Sequence, residues 1–519
     1  MNISIKSAPV TLNPGGGSFT GFTNLPPYTA SLPVPGPTKS FWLNSDPSAN
    51  PLAQVGSASP LPHEASVVII GSGITGCSVA FHLARLFRDQ EHRAGPADDQ
   101  LKLVLLEARD FFVKYGVISV IPPGRNGGHL TAFTTSGFRD RAEAYGTGEA
   151  LRTVALEQHT VSSILNFLNE TPGAAEEVDL VQGGRVTFLL TSEQIEGARK
   201  DIKAAAEAGV DMSTIEWLEP DATAQRFGPR QTSVYTRGNT LWPLKLATKL
   251  YQAAKSDNQD LNIQLDLFTH APVTSVESIT EESRHNCLVK TSRGDIKARF
   301  VVHATNGYAS YLLPHLANPL GGIVPTQGQC IAIRGSTEAS KWPMNACRTV
   351  GGYEYWFPRP PQNVKDKVLV ILGGSRKSLP QQGHNIADDS IINPTVAQSL
   401  RDFLPEIYPG EFEECKVEME WTGIMGFTRS GDPMASIHMG VCTRLMRAPF
   451  QVGPVFASGK PVPHQYISAG YSGHGMPRAF ACAEVVAGMI DAEARGVDYL
   501  PHGLPEWMPR HMLTAKDIG

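Results

Sequence analysis

The chain has 519 residues, 41% of them hydrophobic and 18% charged, and a formal net charge of −5. That length leaves room for about two or three domains around a sizeable core, and the charge balance offers no basic surface for nucleic acid. No apolar run approaches the roughly 20 residues needed to cross a bilayer. Met1–Lys6 lacks the apolar stretch of a secretory signal. Seven scattered cysteines without a C-x-x-C argue against a disulfide framework or structural zinc. The expectation is a cytoplasmic protein with no metal, no membrane partner and buried free thiols.

Residues 8–64 are rich in Pro, Gly and Ser and read as an extended arm lying on the body. The first compact unit starts near Ala65. The apolar run Val67-Val68-Ile69-Ile70 leads into Gly71-Ser72-Gly73-Ile74-Thr75-Gly76, and Val79, Leu83, Leu86 and Phe87 then recur at helical spacing. A second apolar run, Leu103-Val104-Leu105-Leu106, ends in Glu107. Strand, G-x-G-x-x-G, helix, strand, acid is the order that builds a site for the ADP half of a dinucleotide. Gly71 permits the turn, Gly73 lets the pyrophosphate approach the backbone, and Gly76 lets helix and strand pack closely. The helix N-terminus offers unpaired N–H groups to the phosphates, and Glu107 would accept from the ribose hydroxyls.

Farther on, Val161, Ile164, Leu165 and Leu168 mark a helix, Val186–Leu190 a strand and 193–208 a second helix. Val273–Val276, Cys287–Lys290 and Ile296–Phe300 are short β runs, the last two flanking the polar turn Thr291–Asp295. Val301–Ala304 then runs into Thr305-Asn306-Gly307. A β-rich stretch covers about 320–375, and helix and loop continue to 415. The tail returns to the opening pattern: strand Gln465–Ala469, the turn Gly470-Tyr471-Ser472-Gly473-His474-Gly475, and a helix over Arg478–Ile490.

The first strand–turn–helix does not by itself separate FAD from NAD. The β-hairpin ahead of Val301 matches the meander that FAD-binding folds insert before a later parallel strand. Gly124-Arg125-Asn126-Gly127-Gly128-His129 offers flexible backbone and donors shortly after the ribose strand. The last glycine-rich turn aims a helix N-terminus that would stabilise negative charge on a reduced flavin ring.

These segments together resemble the D-amino-acid-oxidase-like (DAO) superfamily of FAD-dependent oxidoreductases, and within it the fungal branch that carries G-R-N-G-G-H. Pro37–Trp42, Gly71–Gly76, Gly124–His129, Ala304–Tyr308, Trp421–Gly426 and Gly470–Gly475 match in the family's order. The resemblance implies an α/β (α+β) fold: a Rossmann-like FAD-binding domain with a β-meander, plus a substrate domain with a mixed, largely antiparallel sheet. The expected division is an arm over 1–64, an FAD domain over 65–145, 225–315 and 416–495, a substrate domain over 146–224 and 316–415, and a tail over 496–519. Val273 would touch adenine through its backbone. Ile74, Thr75, Ala108, Arg109, Arg125, Asn126, Thr305, Asn306 and Ser472 join the glycines, Glu107 and the two histidines as expected cofactor contacts.

The implied chemistry is oxidation of a C–N bond in a small amine or amino acid, with hydride passing to flavin N5 and dioxygen or another acceptor reoxidising the flavin. The redox work belongs to the cofactor, so no strong acid or base is required. His474 could donate to flavin or substrate, or be a satisfied structural histidine. Arg376, at a strand end, could clamp a carboxylate bidentately or lie on the surface. Tyr355, with Tyr353 and Trp356, could line an aromatic wall, although core packing is the commoner role. Gln327 falls where the family often has a residue beside the flavin. His129 lies where some relatives bond the flavin covalently; non-covalent FAD is the expectation.

Two stretches, 111–123 and 434–451, break the family pattern and read either as translated introns or as loop variation, which surface loops tolerate cheaply. The rival readings are a nicotinamide-dependent dehydrogenase and a non-catalytic flavin-binding paralogue.

Overall fold

Val67–Ile70 and Leu103–Leu106 are apolar at every position, as parallel strands covered on both faces must be. In the structure, a computed structural model, they lie at the centre of a sheet. Residues 25–46, 48–91, 100–112, 128–132, 137–256, 263–279, 285–350, 354–363, 365–413, 416–429, 451–457, 460–499 and 503–514 are described.

The strands in chain order begin with β1 (Glu64–Ile70), β2 (Leu101–Leu106), β3 (His129–Leu130), β4 (Arg185–Leu189), β5 (Glu216–Leu218) and β6 (Thr232–Thr236). Next come β7 (Asn239–Thr240), β8 (Ile263–Phe268), β9 (Val273–Ser278), β10 (Cys287–Thr291), β11 (Gly294–His303) and β12 (Val324–Glu338). The last six are β13 (Ala346–Thr349), β14 (Glu354–Pro358), β15 (Lys367–Gly374), β16 (Lys416–Phe427), β17 (Gln451–Ala457) and β18 (Lys460–Ala469).

The first sheet runs β17-β18-β11-β1-β2-β8, parallel from β18 to β8. Helix Ile74–Glu91 connects β1 to β2. Val67, Ile69, Leu103 and Leu105 face it, together with helices Pro243–Ser256 and Ala479–Ala494. The alternate residues Val68, Ile70, Val104 and Leu106 pack under the antiparallel meander β9-β10-β11, against Val289, Ile296 and Ala298.

The second sheet runs β16-β12-β15-β14-β13-β4-β6-β5, and every neighbouring pair is antiparallel except β13 with β4. Its mixed, largely antiparallel character agrees with the expectation. The pairing puts β6 and β16 in this sheet, whereas their residues were expected with the nucleotide unit.

Helix Pro394–Ile407 covers one face of the second sheet. Asn393 caps it, its side chain accepting from the N–H groups of Thr395 and Val396, and Pro394 occupies the first turn, where a missing N–H costs nothing. Val396, Leu400 and Leu404 from this helix bury Ile331, Val370, Leu372 and Trp356. The opposite face, with Cys330, Ala332, Ala346, Tyr355, Phe357 and Ile371, joins the same core as Val67 and Ile69. That face of the second sheet therefore looks toward the first.

Candidate cofactor and substrate site

At the carboxyl end of β1 the chain turns at Gly71 (φ +108°), where a Cβ would come within 2.7 Å of the Ala304 carbonyl oxygen. A Cβ on Gly76 would approach the Gly71 oxygen to 1.9 Å, so only glycine lets the helix start this close to its strand. Gly73 accepts from the Cys77 N–H (3.0 Å) and opens the helix, followed by the buried Ile74. Thr75 Oγ1 donates to the Tyr471 hydroxyl at 3.3 Å, tying this turn to the C-terminal one.

Glu107 is fully buried at the end of β2. One carboxylate oxygen accepts from the Ser72 N–H (3.1 Å) and hydroxyl (2.8 Å), the other from the Arg109 N–H (3.1 Å). A carboxylate has roughly four acceptor positions, so a further donor can still be taken. Beside it a small cleft is lined by Ile70, Gly71, Ala108, Val273 and Thr305. Thr305 is 4% exposed, and its hydroxyl has no hydrogen-bond partner among the described residues.

Three features of this cleft were not foreseen. Ser31, Leu32 and Pro33 of the arm form one wall of it. Hydrogen bonds hold the arm there, from the Tyr28 N–H to the Ala317 oxygen (3.0 Å) and from the Ala30 N–H to the Ser310 hydroxyl (2.9 Å). The Arg109 guanidinium is engaged elsewhere: it forms a two-point pair with Asp389 (3.1 and 2.8 Å) and reaches the Val34 carbonyl (3.1 Å), joining nucleotide unit, arm and second unit. Nothing local in the sequence signals these contacts, because the partners lie 75 and 280 residues away.

The C-terminal turn is wired differently. Gly470, Ser472 and Gly473 all have positive φ (80°, 53° and 81°). Asn306 Oδ1 accepts from the Gly470 N–H (2.9 Å), Ser472 N–H donates to the Gly426 oxygen (2.8 Å), and Ser472 Oγ accepts from the Thr428 N–H (3.0 Å). A Cβ at Gly307 would come within 2.5 Å of the Met425 oxygen. Asn306, Gly307, Gly470 and Ser472 thus splice β11 and β18 to the end of β16. Gly475 accepts from the Arg478 and Ala479 N–H groups and starts the last helix.

His474 is buried, with Nε2 3.2 Å from Oε1 of the buried Glu157, which also takes the Nε (2.8 Å) and Nη2 (2.6 Å) of the fully buried Arg478. Burial pushes the His474 pKa down to about 4 although Glu157 opposes the shift. Glu157 is held at about 2: burial raises it, but His474 and Arg478 outweigh that. The missed signal is that Glu157 continues the stripe Val161, Ile164, Leu168 one turn upstream, an acid where an apolar residue belongs.

Arg125, Asn126 and Gly127 lie outside the described residues. Gly128 has φ +70°, and a Cβ there would meet the Leu241 oxygen at 2.5 Å. His129 is buried with its ring edge-on to Tyr355 (5.4 Å) and Phe357 (5.1 Å), and its Nε2 has no partner among the described residues. Burial, with Arg185 and Arg348 adding to it, lowers its pKa to about 3.

Tyr355 is fully buried, its hydroxyl 3.1 Å from Cys330 Sγ. Arg376 is buried at the end of β15, donating to the Gln382 carbonyl (3.1 Å) and lying over the Phe427 ring (4.7 Å). The Gln327 amide donates to the Asp388 carbonyl (2.6 Å). The structure brings His129 and Tyr355 together, with the Arg376 charge near enough to act on the Tyr355 hydroxyl, while His474 lies against Glu157. Phe111 and Phe112, counted with the first foreign stretch, are fully buried core residues; 113–123 and 434–450 lie outside the described residues.

The donors, the glycine cradle and the unpartnered Thr305 hydroxyl all fit an adenine dinucleotide at the carboxyl edge of a parallel sheet. A doubly covered parallel sheet with a meander and a facing mixed sheet defines a two-unit flavin-binding oxidoreductase. The model of the FAD dependent oxidoreductase family, DAO, matches residues 66–489, and the chain belongs to that family. It is therefore an FAD-dependent oxidoreductase.

Similar solved structures include glycine oxidase from Geobacillus kaustophilus, at 17% identity and TM-score 0.57, covering 88% of this chain and 100% of that one. L-proline dehydrogenase from P. horikoshii shows 17% identity and TM-score 0.57, covering 85% and 96%. L-amino acid deaminase from Proteus vulgaris shows 16% identity and TM-score 0.57, covering 89% and 99%. No curated protein sequence matches the chain significantly.

Proposed function

We propose that the protein oxidises the C–N bond of a small amine or amino acid, with FAD held non-covalently and dioxygen taking the electrons. The observation that carries this reading is the face of the second sheet turned toward the nucleotide unit, where the neutral His129, Tyr355 and buried arginines gather opposite the sheet that carries the cleft. The three similar structures named above are called amino-acid or glycine enzymes, which supports the same substrate class.

Bound FAD would supply the two-electron chemistry. The chain's part begins with Gly71, Gly73 and the N-terminus of helix Ile74–Glu91, which receive the diphosphate. Glu107 orients the ribose, and the wall formed by Val273, Ala108 and Ser31–Pro33 shields the adenine from water. On the substrate side, burial keeps His129 uncharged, so it can hydrogen-bond a neutral amine without protonating it. Five free, buried cysteines among the described residues support a reducing compartment, and we place the protein in the cytoplasm.

The test is anaerobic. Purified full-length protein should be yellow, release its flavin on denaturation, and bleach with some member of a panel of amines and amino acids. Colourless protein that ignores added FAD would refute the reading of the cofactor site; yellow protein that no amine bleaches would refute that of the substrate.

A further inference from the structure

The arm ahead of β1 is fastened to both units of the molecule. On one side the Tyr28 and Ala30 N–H groups reach the Ala317 carbonyl and the Ser310 hydroxyl, in the segment that follows β11. On the other, Asn385 Nδ2 donates to the Pro26 carbonyl (3.2 Å) and the Thr38 N–H to the Asp389 carbonyl (2.9 Å). The Thr422 N–H of β16 donates to Thr38 Oγ1 (2.9 Å). Ala30 is buried in a small apolar cluster with Tyr308, Ala387 and Ile424. Between these ties runs Ser31-Leu32-Pro33-Val34-Pro35, where two prolines already fix φ, so docking costs little chain entropy.

Ser31, Leu32 and Pro33 are the part of the arm that lines the cleft beside Ala108 and Val273. Leu32 and Pro33 are only half-buried there, so an apolar ring seated in the cleft would cover more of their surface. The next residue, Val34, is held through its carbonyl by the Arg109 guanidinium. The two-point pair of Arg109 with Asp389 is buried at both ends, the side chains being 11% and 2% exposed. The Arg109 N–H also donates to the carboxylate of Glu107, the expected ribose acceptor. One arginine thus touches the acceptor, the arm and the second unit.

We propose that residues 26–38 form a strap over the adenosine end of the FAD site, with Arg109 and Asp389 as its latch. Docked, the strap sets Leu32 and Pro33 against the adenine; lifted, it loses that contact. Bound adenosine and docked strap therefore stabilise one another, and linkage makes the effect equal in both directions. Arg109 and Asp389 are positioning residues, acting through the strap and Glu107. The inference rests on the reading that adenine occupies this cleft, and it holds whichever substrate is oxidised.

ADP and FAD are the probes, added to the FAD-free full chain, and no turnover is needed. Hydrogen exchange of the amides within 28–38, read by mass spectrometry, should slow about tenfold when either probe saturates. Helix Ser192–Glu207, packed on β4, is the internal reference and should exchange unchanged. Asp389→Asn undoes the latch and should weaken both probes about tenfold by isothermal titration calorimetry. Leu32→Ser, at a half-buried arm position, guards against misfolding of the first variant and should weaken both about fivefold. Exchange within 28–38 that neither probe slows, or affinities that neither variant alters, would overturn the strap while leaving the cofactor reading intact. A chain that binds neither probe would overturn the reading of the cleft, and the strap with it.

Discussion

The chain makes the same local figure twice, strand into glycine turn into helix, at Gly71–Gly76 and at Gly470–Gly475, yet the two turns are built for different jobs. In the first, glycine is demanded by backbone approaching backbone, Gly71 to Ala304 and Gly76 to Gly71, with a positive φ at Gly71 besides. Its rim keeps a Thr305 hydroxyl with no partner among the described residues and a carboxylate with spare capacity. In the second, glycine is demanded by positive φ, and the surrounding polar groups are committed to Asn306, Gly426 and Thr428. Its histidine and the arginine that follows are gathered by Glu157. On the proposed reading the first turn keeps hydrogen-bonding capacity for the dinucleotide, whereas the described contacts of the second go into joining two sheets.

The most severe way to break this contrast is Gly76→Ala. The new methyl group has no room against a backbone oxygen, and overpacking of that kind costs about 3 kcal/mol. The purified protein should lose its flavin altogether, read from the ratio of visible to ultraviolet absorbance. A variant as yellow as the parent would show that the first turn does not carry the dinucleotide.

Glu157→Gln comes next. It removes the charge that balances buried Arg478, and unpairing a buried ion costs on the order of 3 kcal/mol. Chemical denaturation should show that loss, while the surviving folded protein keeps one flavin per chain. Loss of flavin without loss of stability would move the second turn from joint to binding site.

His474 separates the turns by pH. Its folded value near 4 lies below the ordinary 6.5, so the unfolded chain takes up a proton that the folded chain refuses. Its contribution is whole above about 6.5 and declines as pH falls toward 4, on the order of 2 kcal/mol by pH 5. Glu157, held down at about 2, loses its contribution only below its ordinary 4.5, so the two windows are distinct. His474→Asn should flatten the stability profile between pH 6.5 and 4, measured by urea denaturation. An unchanged slope would show that the histidine titrates normally.

Much of the nucleotide unit was legible because its signals are local. Turn, helix, strand and Glu107 follow within one short stretch, and the hairpin Cys287–His303 announces itself by its polar turn. The second sheet was harder, since β6 and β16 find partners far along the chain and their own residues do not say which sheet they join. Arg185 and Arg348 were passed over for a related reason. Each sits in a short β run as an ordinary surface arginine would, and only the register between strands about 160 residues apart shows that they share a buried face. Glu157 did leave a trace, an acid on an apolar helical stripe, and that kind of misplacement is the sequence signal most worth following.

The smallest expected effect sharpens the first turn alone. Glu107→Gln keeps shape and volume but replaces one acceptor oxygen by an NH₂ donor. Both oxygens of Glu107 now accept, one from Ser72 and one from the Arg109 N–H. Whichever way the amide is turned, a donor therefore meets a donor at one end, and the spare acceptor position toward the cleft is lost or weakened. FAD should bind about tenfold more weakly, a difference of about 1.4 kcal/mol, with little change in the position of the second turn. Flavin fluorescence titration of the FAD-free variant reads the affinity directly. Undiminished affinity would mean that the ribose hydroxyls are held by some other acceptor, and the unspent capacity of Glu107 would no longer distinguish the binding turn from the joint.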